Sequence, residues 1–185
     1  MQNPNAKTPR LSIGLPVFNG ERYLSQAISC FLEQTFGDFE LIICDNASSD
    51  GTQQIGLGYA AQDSRVRYYR NERNLGAIAN FNRTVALARG PLFKWAAHDD
   101  IYASSYLEKC IDMLDTNPDV VPAHSDCAFI GENGDMFVWD EQSHAYIDPL
   151  TGIRQRPDDP NIGNAARCWP SLPSSGASNA AANAC

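Results

Sequence analysis

Phe39-Glu40-Leu41-Ile42-Ile43-Cys44 runs directly into Asp45-Asn46-Ala47-Ser48-Ser49-Asp50-Gly51-Thr52. The first six residues are nearly all apolar, as in a strand covered on both faces. The polar run after them predicts a loop at that strand's carboxyl end. Asp50 can cap a helix starting near Thr52, with Gln53 at the third helical position. A buried strand, a polar loop and a helix together make the repeating unit of a parallel sheet with helices on its faces.

The same alternation extends outward from this unit. Leu11-Ser12-Ile13-Gly14-Leu15-Pro16 predicts an earlier strand, and Leu24, Ala27, Ile28, Phe31 and Leu32 follow at helical spacing. Val66 to Tyr69 predicts a third strand. Asn80 to Arg89 carries a helical pattern that stops before Gly90, a natural helix-ending residue. Leu92 to Ala97 predicts a fourth strand. Ser105 with Glu108 reads as a capping box ahead of Leu107, Cys110, Ile111 and Leu114. Val120-Val121 opens a fifth strand. Ala128-Phe129-Ile130 and Met136-Phe137-Val138-Trp139 flank Gly131-Glu132-Asn133-Gly134 as a hairpin. The expected fold class is α/β: a mostly parallel sheet between two helical layers.

Composition bounds the partners. The 185 residues suit one domain. A hydrophobic share of 43% excludes a wholly disordered chain. The net charge of −8 repels phosphate backbones, so nucleic acid is not an expected partner. No apolar run reaches bilayer length, and Met1 to Arg10 is polar, without the apolar core of a signal peptide. The expected compartment is the cytoplasm, with membrane association only peripheral. The six cysteines form no CxxC pair, which disfavours zinc, and Cys30, Cys44 and Cys110 sit in apolar patterns that suit core packing. The expected organisation is an α/β domain over 10–150 and an irregular, weakly ordered tail over 151–185. From Ala165 to Cys185 no Asp or Glu occurs, and the abrupt change of composition there reads as a truncated or frame-shifted end.

Ligands of open α/β sheets bind at the carboxyl ends of the strands. Three polar clusters fall there: Pro16-Val17-Phe18-Asn19-Gly20-Glu21, Asp45 to Thr52, and His98-Asp99-Asp100. Acidic residues gathered on one rim repel, and a divalent cation is the usual remedy. Each residue also has a purely structural reading. Asp45 could hold a turn with Asn46, Asp50 could cap a helix, and Asp99 and Asp100 could favour a helix entry. His98 could edge a metal, donate to phosphate or sit in a solvated loop. Phe18 could be core or a flat surface for a base. No GxGxxG, GxxxxGK[ST] or GxSxG stretch occurs.

These clusters, in this order, resemble the family 2 glycosyltransferases of the GT-A fold, a Rossmann-like three-layer sandwich. The matching stretches run from Leu11-Ser12-Ile13-Gly14-Leu15-Pro16-Val17-Phe18-Asn19 through Ile43 to Thr52 and Asn74-Leu75-Gly76. They end on Ala88-Arg89-Gly90 and Trp95-Ala96-Ala97-His98-Asp99-Asp100, covering about residues 10–130. The resemblance implies transfer of a sugar from a nucleotide-sugar, most often UDP-linked, to an acceptor hydroxyl with inversion. It implies a nucleotide-binding set of Pro16, Phe18, Asn19, Glu21, Asp45 and Asp99. Phe18 would pack on the base and Asp45 would accept a hydrogen bond from it. Asp99 matches the last Asp of the family's DxD motif and would ligate Mg²⁺ or Mn²⁺, with His98 and Asp100 as candidate further ligands. The first Asp of that motif falls on Ala97 here. The acceptor would be a glycan or a lipid-linked molecule, in polysaccharide biosynthesis. No residue matches the family's general base; Asp158 and Asp159 are acidic but unmatched. The alternative function is a donor-binding fragment without turnover. A nucleotidyltransferase would want a basic, glycine-rich loop where Phe18-Asn19-Gly20-Glu21-Arg22 stands.

Overall fold

The computed structural model describes residues 7–121, 123, 130, 135–147, 149, 152, 154 and 155. The chain falls into two compact units, 1–123 and 124–185. The first contains β1 (Leu11–Val17), α1 (Leu24–Leu32), β2 (Phe39–Asp45), α2 (Thr52–Gln62), β3 (Val66–Arg70), α3 (Ala77–Ala86), β4 (Leu92–Trp95) and α4 (Tyr106–Thr116). Its sheet is wholly parallel, in the order β3-β2-β1-β4.

Alternation along the strands sends the two faces to different helices. Ile13 and Leu15 of β1 and Leu41 and Ile43 of β2 pack with Leu24, Ile28 and Phe31 of α1 and with Leu107 of α4, every one of them buried. Tyr68 of β3 lies against Gly56 of α2 on this same side. The other face carries Ser12 and Gly14 of β1 and packs on α3. The result is the three-layer sandwich the alternation predicts. Gly14 is required there by close approach: an added Cβ would stand 2.4 Å from Thr84 Oγ1 and 2.6 Å from the Phe93 ring. Thr84 is β-branched and stiff, so it cannot swing aside. Gly14→Ala is expected to cost about 1–3 kcal/mol of stability through overpacking, checked by urea unfolding.

Three local expectations are corrected in this unit. The third helix runs Ala77–Ala86 rather than Asn80–Arg89. Gly76, at φ +83°, turns the chain into it three residues early. It ends early because the Arg89 and Gly90 N–H groups donate to Ser12 Oγ. Ser105 makes no side-chain cap, because its backbone, at φ −96° and ψ 8°, lacks the extended geometry of a capping residue, and Glu108 Oε2 accepts from Thr35 Oγ1. Gln34 Oε1 serves the start of α4 by accepting from Leu107 N. Val120-Val121 forms no strand: Val120 N donates to Asn117 O in a turn, and Val121 is 89% exposed.

In the second unit the expected hairpin is met at one pair of its flanks, and a further antiparallel pair follows it along the chain. Ile130 and Met136 bridge antiparallel. The regular antiparallel pair is β5 (Val138–Asp140) with β6 (Ala145–Ile147), and β7 (Arg154–Gln155) adds to β6. Trp139 and Tyr146 pack edge to face across it at 4.9 Å. Ala128, Phe129 and the Gly131–Gly134 turn lie outside the described residues, as do Asp158, Asp159 and all of the 151–185 tail except Gly152, Arg154 and Gln155. Among the described residues no helix is long and apolar enough to cross a membrane.

Candidate functional site

The strand order has a consequence for where a ligand fits. β1, β2 and β3 are laid down in one direction, and the chain then crosses back to place β4 on the other side of β1. In open α/β sheets the ligand crevice lies beyond the carboxyl ends of the strands at such a reversal, here those of β1 and β4. The loops bordering it are Phe18–Glu21 and Ala96–Asp100. They meet at Gly20, where an added Cβ would stand 2.8 Å from the His98 ring.

The loop after β1 is stapled to the loop after β2. Asn19 N donates to Ser48 Oγ at 2.9 Å, and Ser49 N returns a bond to Asn19 Oδ1 at 2.9 Å. Gly20 N donates to Thr52 Oγ1. Glu21 N donates to Asp50 Oδ2, while Gly51 N donates to Glu21 Oε2. Asn19 adopts φ +52°, a left-handed conformation that Asn tolerates better than most residues. Pro16 is buried in the strand, and Phe18 stands 46% exposed at the rim. Asn19 and Glu21 therefore spend their side-chain oxygens on shaping the rim.

Asp45 is fully buried. Its Oδ1 accepts from Ser48 N at 2.8 Å, closing the turn in which Ala47 takes φ +63°. Its Oδ2 accepts from Tyr68 OH at 2.6 Å and pairs with Arg70 at 3.4 Å. Burial first, and then the Asp45 carboxylate, push the Tyr68 phenol above its ordinary value, so it remains a donor. Asp50 accepts from Thr52 N at 3.1 Å, but the cap position of α2 falls on Gly51, which has no side chain to cap with, so Asp50 is not the helix cap the sequence suggested. Burial works against its ionisation, but the bonds from Thr52 and Glu21 outweigh it and hold the carboxyl below the usual range. Two of the three acidic clusters are thus neutralised by N–H groups, a phenol and an arginine. The repulsion that called for a cation is answered there by the protein.

The third cluster differs, because Asp99 and Asp100 part company. Asp100 Oδ2 accepts from Tyr102 OH at 3.1 Å. Burial pushes its carboxyl upward, against the pull of that bond and of Lys94. Lys94 Nζ stands over the Tyr102 and Tyr106 rings, at 4.4 Å and 5.0 Å. Asp99 Oδ1 is buried and has no hydrogen-bond partner, and His98 Nδ1 lies 4.0 Å away, beyond bonding reach. An unpaired buried carboxylate oxygen costs about 1–3 kcal/mol or more, and natural proteins seldom keep one without use. Its donor chemistry fits Mg²⁺ or Mn²⁺. Among the described residues no three His, Cys, Asp or Glu side chains converge, so protein ligands beyond Asp99 are few.

Positive charge gathers beside Asp45. A cleft of about 310 Å³ is lined by Arg70, Asn71, Glu72, Arg73, Leu75 and Arg83. These arginines are absent from the residues the sequence singled out. Their signal is there to be read: Arg70, Arg73 and Arg83 fall close together in a chain of net charge −8. The cysteines fit the packing expectation. Burial pushes the Cys44 thiol to about 11, far from a reactive thiolate.

The same architecture recurs in known structures. TarS 1–349 of S. aureus, solved with UDP-GlcNAc, aligns at TM-score 0.56 and 23% identity, over 59% of this chain and 32% of that one. The mannosyltransferase PcManGT of Pyrobaculum calidifontis, solved with GDP-Man and Mn²⁺, aligns at 0.54 and 19%, over 59% and 33%. The fold is GT-A. RT0329, an uncharacterized glycosyltransferase of Rickettsia typhi, is 33% identical over 119 residues, 63% of this chain and 36% of that protein. WfgD of Escherichia coli, a UDP-Glc:α-D-GlcNAc-diphosphoundecaprenol β-1,3-glucosyltransferase, is 36% identical over 104 residues, 56% of this chain and 40% of that protein. The model of glycosyl transferase family 2 matches residues 12–169, and the chain belongs to that family. It spans 36% to 45% of the length of these and similar curated relatives.

Proposed function

We propose that the crevice at the β1–β4 switch point binds a nucleotide-sugar, UDP-linked, for transfer of its sugar to an acceptor hydroxyl with inversion. The observation that carries this is Asp99 Oδ1, buried without a partner on the rim where this fold takes its ligands. WfgD, with a UDP-linked donor in its name, and the UDP-GlcNAc held by TarS favour a uridine nucleotide.

Phe18 offers an exposed ring for the base to stack on. Asp45, at the end of the neighbouring strand, would accept from the base edge, and Pro16 would complete the base-binding strand end. Asp45 is enclosed in the unliganded chain, so the base edge would reach it by taking the place of Arg70, whose contact at 3.4 Å is longer than those of Ser48 and Tyr68. The cleft of Arg70, Arg73 and Leu75 adjoins this side. Asn19 and Glu21 fix the loop on which the ligand would rest. Asp99 would hold Mg²⁺ or Mn²⁺ against the diphosphate, with His98 and Asp100 flanking it. When bound, such an ion stabilises the negative charge that gathers on a departing nucleoside diphosphate. The acceptor is a glycan or lipid-linked hydroxyl, and the setting is cytoplasmic polysaccharide synthesis.

Calorimetry of the full chain with UDP is the test. UDP is expected to bind in Mn²⁺ and about tenfold or more weaker in EDTA. Absence of binding at millimolar UDP overturns the reading. Turnover of UDP-sugars is measured beside it, and binding without turnover identifies a donor-binding unit.

A further inference from the structure

Asn46 follows Asp45 at the end of β2 and is 3% exposed. Its backbone N–H donates to Val17 O, fixing it to β1. Its side-chain amide has two donors and two acceptor positions, and all four are used. Oδ1 accepts from Asn71 Nδ2 at 2.8 Å and from Leu75 N at 2.9 Å. Nδ2 donates to Asn74 Oδ1 at 2.8 Å and to Gly76 O at 3.3 Å. Every partner belongs to the loop between β3 and α3. That loop supplies Asn71, Glu72, Arg73 and Leu75 to the cleft beside Asp45.

The other contacts of the loop lead back to the same strand end. Asn71 N donates to Asp45 O, and Asn71 Nδ2 donates to Asn80 Oδ1. Asn80 Nδ2 reaches Cys44 O at 2.8 Å. Arg83, on the cleft wall, donates to Asn71 Oδ1. A loop rich in polar residues has little apolar surface to hold it, so its position depends on these bonds. Asn46 is the member that contacts both ends of the loop.

We propose that Asn46 is a positioning residue for the nucleoside side of the crevice: its amide sets the 71–76 loop, and with it the Arg73–Leu75 wall, against Asp45. The role rests on the nucleotide reading above. It requires an amide. A carboxylate of the same shape keeps the acceptor but loses both donors, and it would face Gly76 O and Asn74 Oδ1 with negative charge.

The test compares two probes, UDP and inorganic pyrophosphate, each titrated in Mn²⁺ into the full chain and its variants. Asn46→Ala and Asn46→Asp are expected to weaken UDP by about tenfold or more, the size of one or two lost hydrogen bonds. Pyrophosphate, which meets only the Asp99 side, is expected to stay within about twofold. Hydrogen exchange at the Leu75 amide of the unliganded variants is expected to quicken by about tenfold. Asn74 is exposed, so Asn74→Ala keeps the fold, and it is expected to weaken UDP about threefold. Unchanged UDP affinity in both the Asn46 and Asn74 variants overturns the proposal. So does an equal loss of UDP and pyrophosphate, which marks a merely structural residue. An unsubstituted chain that binds no UDP overturns the nucleotide reading itself, and this role falls with it.

Discussion

Asp99→Ala is expected to remove the Mn²⁺-dependent part of UDP binding while leaving the chain at least as stable as before. The two effects have one cause. In the unliganded protein, Oδ1 of Asp99 is enclosed and unpaired, so the folded state bears a desolvation cost with no compensating bond. Removing the carboxylate removes that cost, and the thermal midpoint should hold or rise slightly. The same substitution takes away the anionic oxygen offered to the cation. An affinity loss of about tenfold or more in Mn²⁺, down to the level seen in EDTA, is the expected scale. Calorimetry with UDP and a thermal melt of the same sample read both quantities. Stability held at the expense of function is the signature of a binding residue, because a structural carboxylate would lose both. Full retention of Mn²⁺-dependent binding would take Asp99 out of the site.

The pairing of Asp99 with Asp100 shows how far the sequence could be read. Their adjacency and their place after an apolar strand marked the rim correctly. It could not show that the two carboxylates diverge, because Tyr102 and Lys94 decide where Asp100 turns. The β1 and β2 strands were legible because burial on both faces leaves an almost unbroken apolar run. The start of α3 was not, because Gly76 at φ +83° and the Asn74 side chain on Gly76 N act before the apolar pattern begins. The arginine cleft and the asparagine bonds escaped for another reason. Asn46 reaches Asn74 across 28 positions and Asp45 reaches Arg70 across 25. No local spacing encodes such contacts; the sheet register, which sets Asp45 beside Arg70, creates them.

Glu40→Ala is the substitution expected to cost the most stability, about 3–5 kcal/mol in urea unfolding, with UDP affinity unchanged. Glu40 lies near the start of β2, at the opposite end of the strand from Asp45, with its side chain 2% exposed. Oε1 accepts from Ser12 Oγ at 2.7 Å and Arg89 N at 2.8 Å. Oε2 accepts from Arg67 at 2.6 Å and from Arg89 Nη2 at 2.7 Å. One carboxylate thus joins β2 to β1, to β3 and to the turn that carries the chain across to β4. Removing it leaves the Arg67 guanidinium, itself only 16% exposed, without its counter-charge, and leaves the buried Ser12 hydroxyl without its acceptor. Burial alone would raise the Glu40 carboxyl, but the bonds from Ser12, Arg67 and Arg89 outweigh it and hold it below its ordinary value. The sign of the pH effect follows. Its contribution is complete above the ordinary carboxylate range and is lost only as pH falls through the lowered folded value. The gap between the unsubstituted chain and the variant should therefore be widest near neutrality and close in acid. A gap that stays constant between pH 7 and pH 3, or one under about 1 kcal/mol, would show that the crossover is held by apolar packing rather than by this carboxylate.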